Sequence, residues 1–249
     1  MPKQVLKAEN VSKTFEDKPV FKNLSLCLYE GEMLCLTGAS GIGKTTLFNL
    51  LSGLIKPDEG RIFLGEQDIT GLPGQISFMQ QKDLLLPYYT VLHNTALPLL
   101  VKGMEKIKAL AKAEKYFPFF GLEGYQELYP HELSGGMRQR AALLRTYMQS
   151  QQVVLLDEPF GALDAATRYK MQEWYLEIAE TMQLSTIFIT HDLDEAILLS
   201  DRILVLGGQP AQITAELKIT YPHHKRQQFS VSEDFIHYKK DLLSAIKGL

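Results

Sequence analysis

The sequence predicts an α/β protein: a buried, mostly parallel sheet, preceded by an antiparallel β unit and interrupted by a helical insert. Three observations carry that expectation. Short apolar runs of strand length recur at 32–37, 153–156 and 186–190, and an unbroken run of that length suits a strand covered on both faces. Residues 5–30 instead alternate apolar and polar, with Val5, Val11, Val20, Phe21, Leu24, Leu26 and Leu28 as the apolar set, which reads as two or three antiparallel strands. From about 84 to 150 the prolines Pro87, Pro98 and Pro130 punctuate apolar helical segments.

The bulk composition agrees with a globular protein. A chain of 249 residues with 45% hydrophobic and 22% charged residues can bury a proper core. We read residues 1–249 as a single domain, with the helical insert at about 84–150 and a terminal helix at about 233–249. The net charge is −3, from 26 basic and 29 acidic residues, so there is no global basic field for nucleic acid. Cys27 and Cys35 fall in strand-like runs without metal-ligand spacing and are expected to be reduced thiols. Met1-Pro2-Lys3-Gln4 shows no signal-peptide core. No segment reaches the roughly 18 unbroken apolar residues of a membrane span; the oily stretch from Leu84 to Val101 is broken by Pro87, His93, Asn94 and Pro98.

Taken in order, the first element after the alternating strands is Glu32-Met33-Leu34-Cys35-Leu36-Thr37, a strand, followed by Gly38-Ala39-Ser40-Gly41-Ile42-Gly43-Lys44-Thr45-Thr46 and then Leu47-Phe48-Asn49-Leu50-Leu51, a helix. The middle stretch fits G-x-x-x-x-G-K-[ST] at every fixed position, in the strand–loop–helix setting the motif requires. Its glycines let successive N–H groups point at one spot at a helix N-terminus, where anions are favoured. Lys44 supplies charge for β- and γ-phosphates, and the Thr45 hydroxyl can ligate Mg²⁺. Such a loop points to a nucleoside triphosphate.

Pro57-Asp58-Glu59-Gly60 is a turn before a short strand, Arg61–Leu64, and Gly71–Gly74 is a loop. Ile76-Ser77-Phe78-Met79 is a core strand ending at Gln80-Gln81. Lys102, Lys106, Lys108, Lys112 and Lys115 recur among Ile107, Leu110 and Ala111, the solvated face of an amphipathic helix. Leu133-Ser134-Gly135-Gly136-Met137-Arg138-Gln139-Arg140 opens a helix and makes a second anion-ready terminus.

Val153-Val154-Leu155-Leu156-Asp157-Glu158-Pro159 is a buried strand delivering two acids at its C-terminal end, where α/β proteins place their sites. Asp157 suits a Mg²⁺ shell and Glu158 the polarisation of an attacking water. Neighbouring residues on a strand face opposite sides, so the two roles separate. The helix from about Asp164 to Met182 carries a core stripe of Met171, Trp174, Tyr175, Ile178 and Met182. The strand Thr186–Thr190 ends at His191, which is either structural or a γ-phosphate contact. Phe15 is either a core aromatic or a ring stacked on a base. Arg202–Leu206 and Ala211–Ile219 read as a hairpin turned at Gly207-Gly208. The polar stretch Tyr221–Arg226, with His223-His224, reads as a solvated loop.

In this order the motifs resemble the nucleotide-binding subunit of an ABC transporter, from Phe15 to His191. LSGGMRQR and LLDEPFGALD carry the resemblance beyond a phosphate loop alone. It implies a P-loop NTPase core with a RecA-like sheet, binding ATP and Mg²⁺ and hydrolysing ATP. By resemblance Gln81, with Gln80 as the other register, is the glutamine near Mg²⁺ together with Thr45 and Asp157. Glu158 and His191 would be catalytic. Phe15 would stack on adenine, and Asp164 would lie in the D-loop. The family pairs head to tail, so that Ser134, Gly135 and Gly136 of one copy close on the nucleotide held by residues 38–46 of the other. Partners would be two integral membrane permease subunits and, indirectly, an extracytoplasmic solute-binding protein, with no nucleic acid; the chain would sit peripherally on the cytoplasmic face of the cell membrane.

Gln81-Lys82-Asp83-Leu84-Leu85-Leu86-Pro87-Tyr88 resembles the segment of nitrate/sulfonate/taurine-type importers on which a membrane subunit docks; a related branch imports thiamine-precursor pyrimidines. Tyr88 stands where many relatives carry Trp. Other members of the wider family act on nucleic acid or ribosomes, export solutes, or bind ATP without turnover. One phosphate loop, no long heptad run, the importer-like segment, and the presence of both Glu158 and His191 speak against these.

Overall fold

The computed structural model describes residues 3–150, 152–221 and 229–247. The His223-His224 pair and residues 248–249 of the expected tail lie outside the described residues.

The N-terminal unit is built on two long strands, β1 (Gln4–Phe15) and β2 (Lys18–Tyr29), paired antiparallel from Gln4↔Tyr29 to Phe15↔Lys18. With β4 (Glu59–Leu64) and the two-residue β5 (Gln67–Asp68) they form a sheet of order β2-β1-β4-β5. The long hairpin closes at Glu16 and Asp17, both at positive φ.

The larger sheet has the order β10-β9-β3-β8-β7-β6. Its strands are β3 (Met33–Gly38), β6 (Ser77–Met79), β7 (Val153–Asp157), β8 (Ser185–Ile189), β9 (Arg202–Gly207) and β10 (Gln212–Lys218). Pairing is parallel from β9 through β6, and only the edge strand β10 runs antiparallel. The α/β class expected from the apolar runs is therefore present.

Every residue of β7, β8 and β9 is buried, because each face of this sheet meets its own core. Leu34, Leu36, Val153, Leu155, Ile187 and Ile189 pack on one side with Leu47, Phe48, Leu50 and Leu51 of α1 (Lys44–Leu51). Met33, Cys35, Val154, Leu156 and Phe188 pack on the other with Met171 and Tyr175 of α5 (Ala165–Thr181). Alternation of side chains along a strand sends odd and even positions to different layers, which is why these runs are apolar throughout instead of alternating.

Between β6 and β7 run α2 (Val91–Val101), α3 (Lys106–Glu114) and α4 (Gly135–Gln149). The lysines of α3 face solvent, as the spacing predicts. Ile107 does too, at 74% exposure; the buried positions are Ala109 and Ala113. The buried Asn94 interrupts the apolar run for a reason: its amide donates to Leu86 O and Tyr89 O and accepts from Leu86 N, tying down the segment before α2. After β8 come α6 (Leu193–Leu199) and, at the end, α7 (Glu233–Lys247). Among the described residues no helix is long and apolar enough to cross a membrane.

Candidate functional site

Four neighbouring parallel strands, β3, β8, β7 and β6, end on the same edge of the sheet. From β3 springs the loop 38–46, from β8 the turn Thr190-His191, from β7 the pair Asp157-Glu158, and from β6 the glutamines Gln80-Gln81. Sequence-distant residues thus meet because parallel pairing puts all the C-terminal ends together.

The loop depends on its glycines at particular points. Gly38 has φ +149, and a Cβ there would lie 2.4 Å from Leu206 O of β9; Gly43, the N-cap of α1, has φ +105, and a Cβ there would lie 2.7 Å from Val20 Cγ1 and 2.9 Å from Phe21 Cζ. The second contact brings β2, and with it the hairpin ending in Phe15, against the loop. Phe15 is 42% exposed, with Lys13 Nζ 5.3 Å above its ring; it is a surface ring, not a core one. Ala39, Ser40 and Gly41 are exposed, and Ile42, Lys44 and Thr46 half-buried.

Lys44 Nζ donates to Gly38 O at 2.8 Å and Ala39 O at 3.0 Å, so the ammonium is held over the loop's own backbone. Burial pulls its pKa below the ordinary lysine range, and the Glu158 and Asp157 carboxylates push back. Thr45 Oγ1 donates to Asp157 Oδ2 at 3.0 Å. Asp157 shares the parity of Val153 and Leu155 and so faces the α1 layer. Burial raises its pKa above the usual carboxylate value; the Thr45 hydrogen bond opposes that, Glu158 adds to it and Lys44 counters.

Glu158 lies outside the strand and does not separate from Asp157 by strand alternation. It sits at φ +48, held by Glu158 N donating to Ile189 O at 3.0 Å and Gly161 N donating to Glu158 O at 3.2 Å. A left-handed backbone at a non-glycine residue costs roughly 1–2 kcal/mol, and such strain clusters at functional sites. Here it turns the carboxylate toward two partners. Gln81 Nε2 donates to Oε2 at 2.9 Å, and His191 Nδ1 lies 3.1 Å from Oε1. Gln81, not Gln80, is the glutamine that reaches Glu158. Gln80 lines a groove of about 480 Å³ with Phe78, Leu84, Leu97, Val101 and Arg145.

Ser134 caps α4, accepting from Met137 N at 3.3 Å, and is exposed; Gly135 is half-buried and Gly136 buried. A Cβ on Gly136 would lie 3.2 Å from Thr167 Cγ2 in α5. Asp164 caps α5, accepting from Thr167 N at 3.1 Å, and the Thr167 hydrogen bonds hold its carboxyl below the usual range. The two arginines of LSGGMRQR are held within the chain: Arg138 pairs with Asp83 at 3.5 Å, and Arg140 lies over the Trp174 ring at 4.5 Å. Gln139 Nε2 donates to Pro159 O. Thus α4 is fastened both to the segment after Gln81 and to the turn after Glu158.

One residue that sequence reasoning missed is Glu195, buried at 3% exposure beneath the His191 turn. Its position three residues inside a helix gives no signal in one sequence.

The fold and this constellation define a nucleotide-binding cassette. The chain matches the ABC transporter family over residues 21–161, and it belongs to that family as an ATP-binding, ATP-hydrolysing subunit. It is similar to the formylaminopyrimidine import ATP-binding protein ThiZ of Halalkalibacterium halodurans, at 39% identity over 100% of this chain and 97% of that one. The taurine import ATP-binding protein TauB of Pseudomonas aeruginosa is also 39% identical, over 87% of this chain and 84% of its own. Among solved structures it resembles the dimeric bacterial ABC transporter cassette MJ0796, with TM-score 0.73 and 29% identity over 87% of this chain and 100% of that one. That cassette is also known in a post-hydrolysis state bound to ADP and Pi.

Proposed function

We propose that this chain energises an importer of a small organic solute, of the nitrate/sulfonate/taurine kind or a thiamine-precursor pyrimidine. The observation that carries the catalytic part is the Glu158 carboxylate held between Gln81 and His191, on the strand edge that also bears the phosphate loop. The relatives named for import of a formylaminopyrimidine and of taurine support the solute class.

In this reading the triphosphate lies along residues 38–46, with Lys44 released from Gly38 O and Ala39 O to the phosphates, and the adenine on Phe15. Thr45 Oγ1 and Asp157 Oδ2 are hard oxygen donors, suited to Mg²⁺, and Gln81 completes the protein side. An ion held by so few protein oxygens would take its remaining ligands from phosphate and water. Bound there, Mg²⁺ neutralises charge developing on the phosphate oxygens.

Glu158, as a carboxylate, orients the attacking water and accepts its proton. Gln81 and His191 fix the plane of that carboxylate. With Nδ1 of His191 facing Glu158, Nε2 is the nitrogen left to face the γ-phosphate, to which it donates only when it too carries a proton. Ser134, Gly135 and Gly136 serve the nucleotide of a second copy in a head-to-tail homodimer, with Asp164 at the contact.

The permease subunits dock at the groove bordered by Leu84 and Val101 and on the segment that follows Leu84, in which Tyr88 is 90% exposed, and they hold the chain at the cytoplasmic face of the membrane. A solute-binding protein acts through them. Affinity purification of the tagged chain from native membranes tests this: an integral membrane subunit is expected to co-purify. Recovery of ribosomes or DNA in its place would overturn the transport reading.

A further inference from the structure

The aim of His191 is set by its neighbours. β8 ends at Ile189, and Thr190, His191 and Asp192 turn the chain into α6. The Thr190 hydroxyl accepts from Asp192 N at 3.1 Å, and the Thr190 carbonyl accepts from Thr37 Oγ1 at 3.3 Å. A hydroxyl has one proton to give. With one lone pair engaged by Asp192 N–H, it gives that proton to Glu195 Oε2, 3.2 Å away. Glu195 thereby fixes the rotor of Thr190, and Thr190 fixes the backbone on both sides of His191.

Glu195 is not placed there as a surface charge. Its Oε1 is buried and, among the described residues, has no hydrogen-bond partner. The groups facing it are Thr190, His191 and Asp192 on the turn, Arg168 on α5, and the Cys35 thiol on β3. Arg168 is itself engaged with Asp192, at 3.7 Å. Burial pushes the Glu195 acid up to about 7; Thr190, Arg168 and His191 pull it down, and Asp192 pushes it further up. A carboxyl with one bare buried oxygen is held most cheaply as the neutral acid.

We propose that Glu195 is a positioning residue for hydrolysis, its buried carboxyl fixing, through the Thr190 hydroxyl, the turn that aims His191 at Glu158. The proposal rests on the reading of Glu158 and His191 as the hydrolytic pair. The carboxyl touches neither nucleotide nor water in this scheme; it acts only through Thr190.

The test uses the full chain and steady-state ATP hydrolysis, with Thr190→Val, Glu195→Ala, Glu195→Gln and His191→Ala compared with wild type. Thr190→Val removes only the hydroxyl bridge and keeps the shape of the side chain, so it carries the test if Glu195→Ala does not fold. Thr190→Val and Glu195→Ala are expected to lower kcat about ten- to a hundred-fold, the scale of a misplaced catalytic group. KM should stay within about two-fold, because binding is untouched. Glu195→Gln is expected to restore most of the rate lost in Glu195→Ala, since its amide oxygen still accepts from Thr190.

If His191→Ala is impaired while Thr190→Val keeps wild-type kcat, the positioning role is wrong and the hydrolytic reading stands. A Glu195→Gln protein as slow as Glu195→Ala would also overturn the role. If His191→Ala itself turns over normally, the hydrolytic reading falls, and the proposal falls with it.

Discussion

The three glycines of the phosphate loop, the fixed Gly38 and Gly43 and the variable-position Gly41, give a graded prediction, because each meets a different obstacle when a Cβ is added. At Gly41 the backbone lies at φ +77 with nothing within 4 Å of the added carbon. Gly41→Ala therefore costs only backbone strain, about 1–2 kcal/mol. At Gly43 the same kind of strain is joined by contacts at 2.7 Å with Val20 Cγ1 and 2.9 Å with Phe21 Cζ. Those are ends of side chains, which can shift, and overpacking of that kind adds roughly 1–3 kcal/mol. At Gly38 the obstacle is Leu206 O at 2.4 Å. It belongs to the backbone of β9, paired with β3 at Gly38↔Leu206, so a strand must move. Gly38→Ala is expected to be the most destabilised of the three, above roughly 3 kcal/mol. Urea unfolding without nucleotide reads the order Gly38 > Gly43 > Gly41 directly. Equal losses at all three positions, or the largest at Gly41, would refute the steric account of the loop.

Further predictions follow from the charged groups. Lys44→Ala should weaken ATP binding itself, measured by equilibrium dialysis; unchanged affinity would contradict a phosphate role for Lys44. Glu158→Gln should leave ATP binding intact and lower turnover about 10²–10⁴-fold, the usual worth of a general base; near wild-type turnover in a coupled ATPase assay would remove Glu158 from that role. Glu195, with its acid raised from 4.5 to about 7, favours the fold in its protonated form. Its contribution is complete below about pH 4.5 and is lost as pH rises to about 7, by an amount on the order of 3 kcal/mol. Urea unfolding across that window should show this loss in wild type and a smaller one in Glu195→Gln; equal slopes would contradict it.

How much of this was legible in one sequence depends on how local the signal is. The loop 38–46 announces itself because its chemistry, glycines and lysine together, is contiguous. The strands β7, β8 and β9 are legible because burial on both faces makes them apolar at every position. The N-terminal hairpin was legible as alternation but not as two twelve-residue strands, since its register shifts break the period of two. β5, two residues long, leaves no pattern at all.

The site was legible in its parts and not in its joints. That Gln81 rather than Gln80 reaches Glu158 follows from how β6 leaves the sheet, which no spacing encodes. Glu158 was expected to diverge from Asp157 by alternation along a strand, whereas a left-handed turn does it. Arg138 and Arg140 looked like part of an anion-binding helix start; they are held by Asp83 and Trp174, partners distant in sequence. Glu195 was silent because a glutamate in the first turn of a helix is ordinary, and only tertiary burial makes it unusual.

The most direct test of the central claim, that one copy's phosphate loop and another copy's Ser134–Gly136 close on the same nucleotide, is size-exclusion chromatography of the Glu158→Gln protein with and without Mg·ATP. An ATP-dependent shift from monomer to dimer is expected, abolished by Ser134→Arg. A protein that binds ATP and yet elutes as a monomer under both conditions would contradict it.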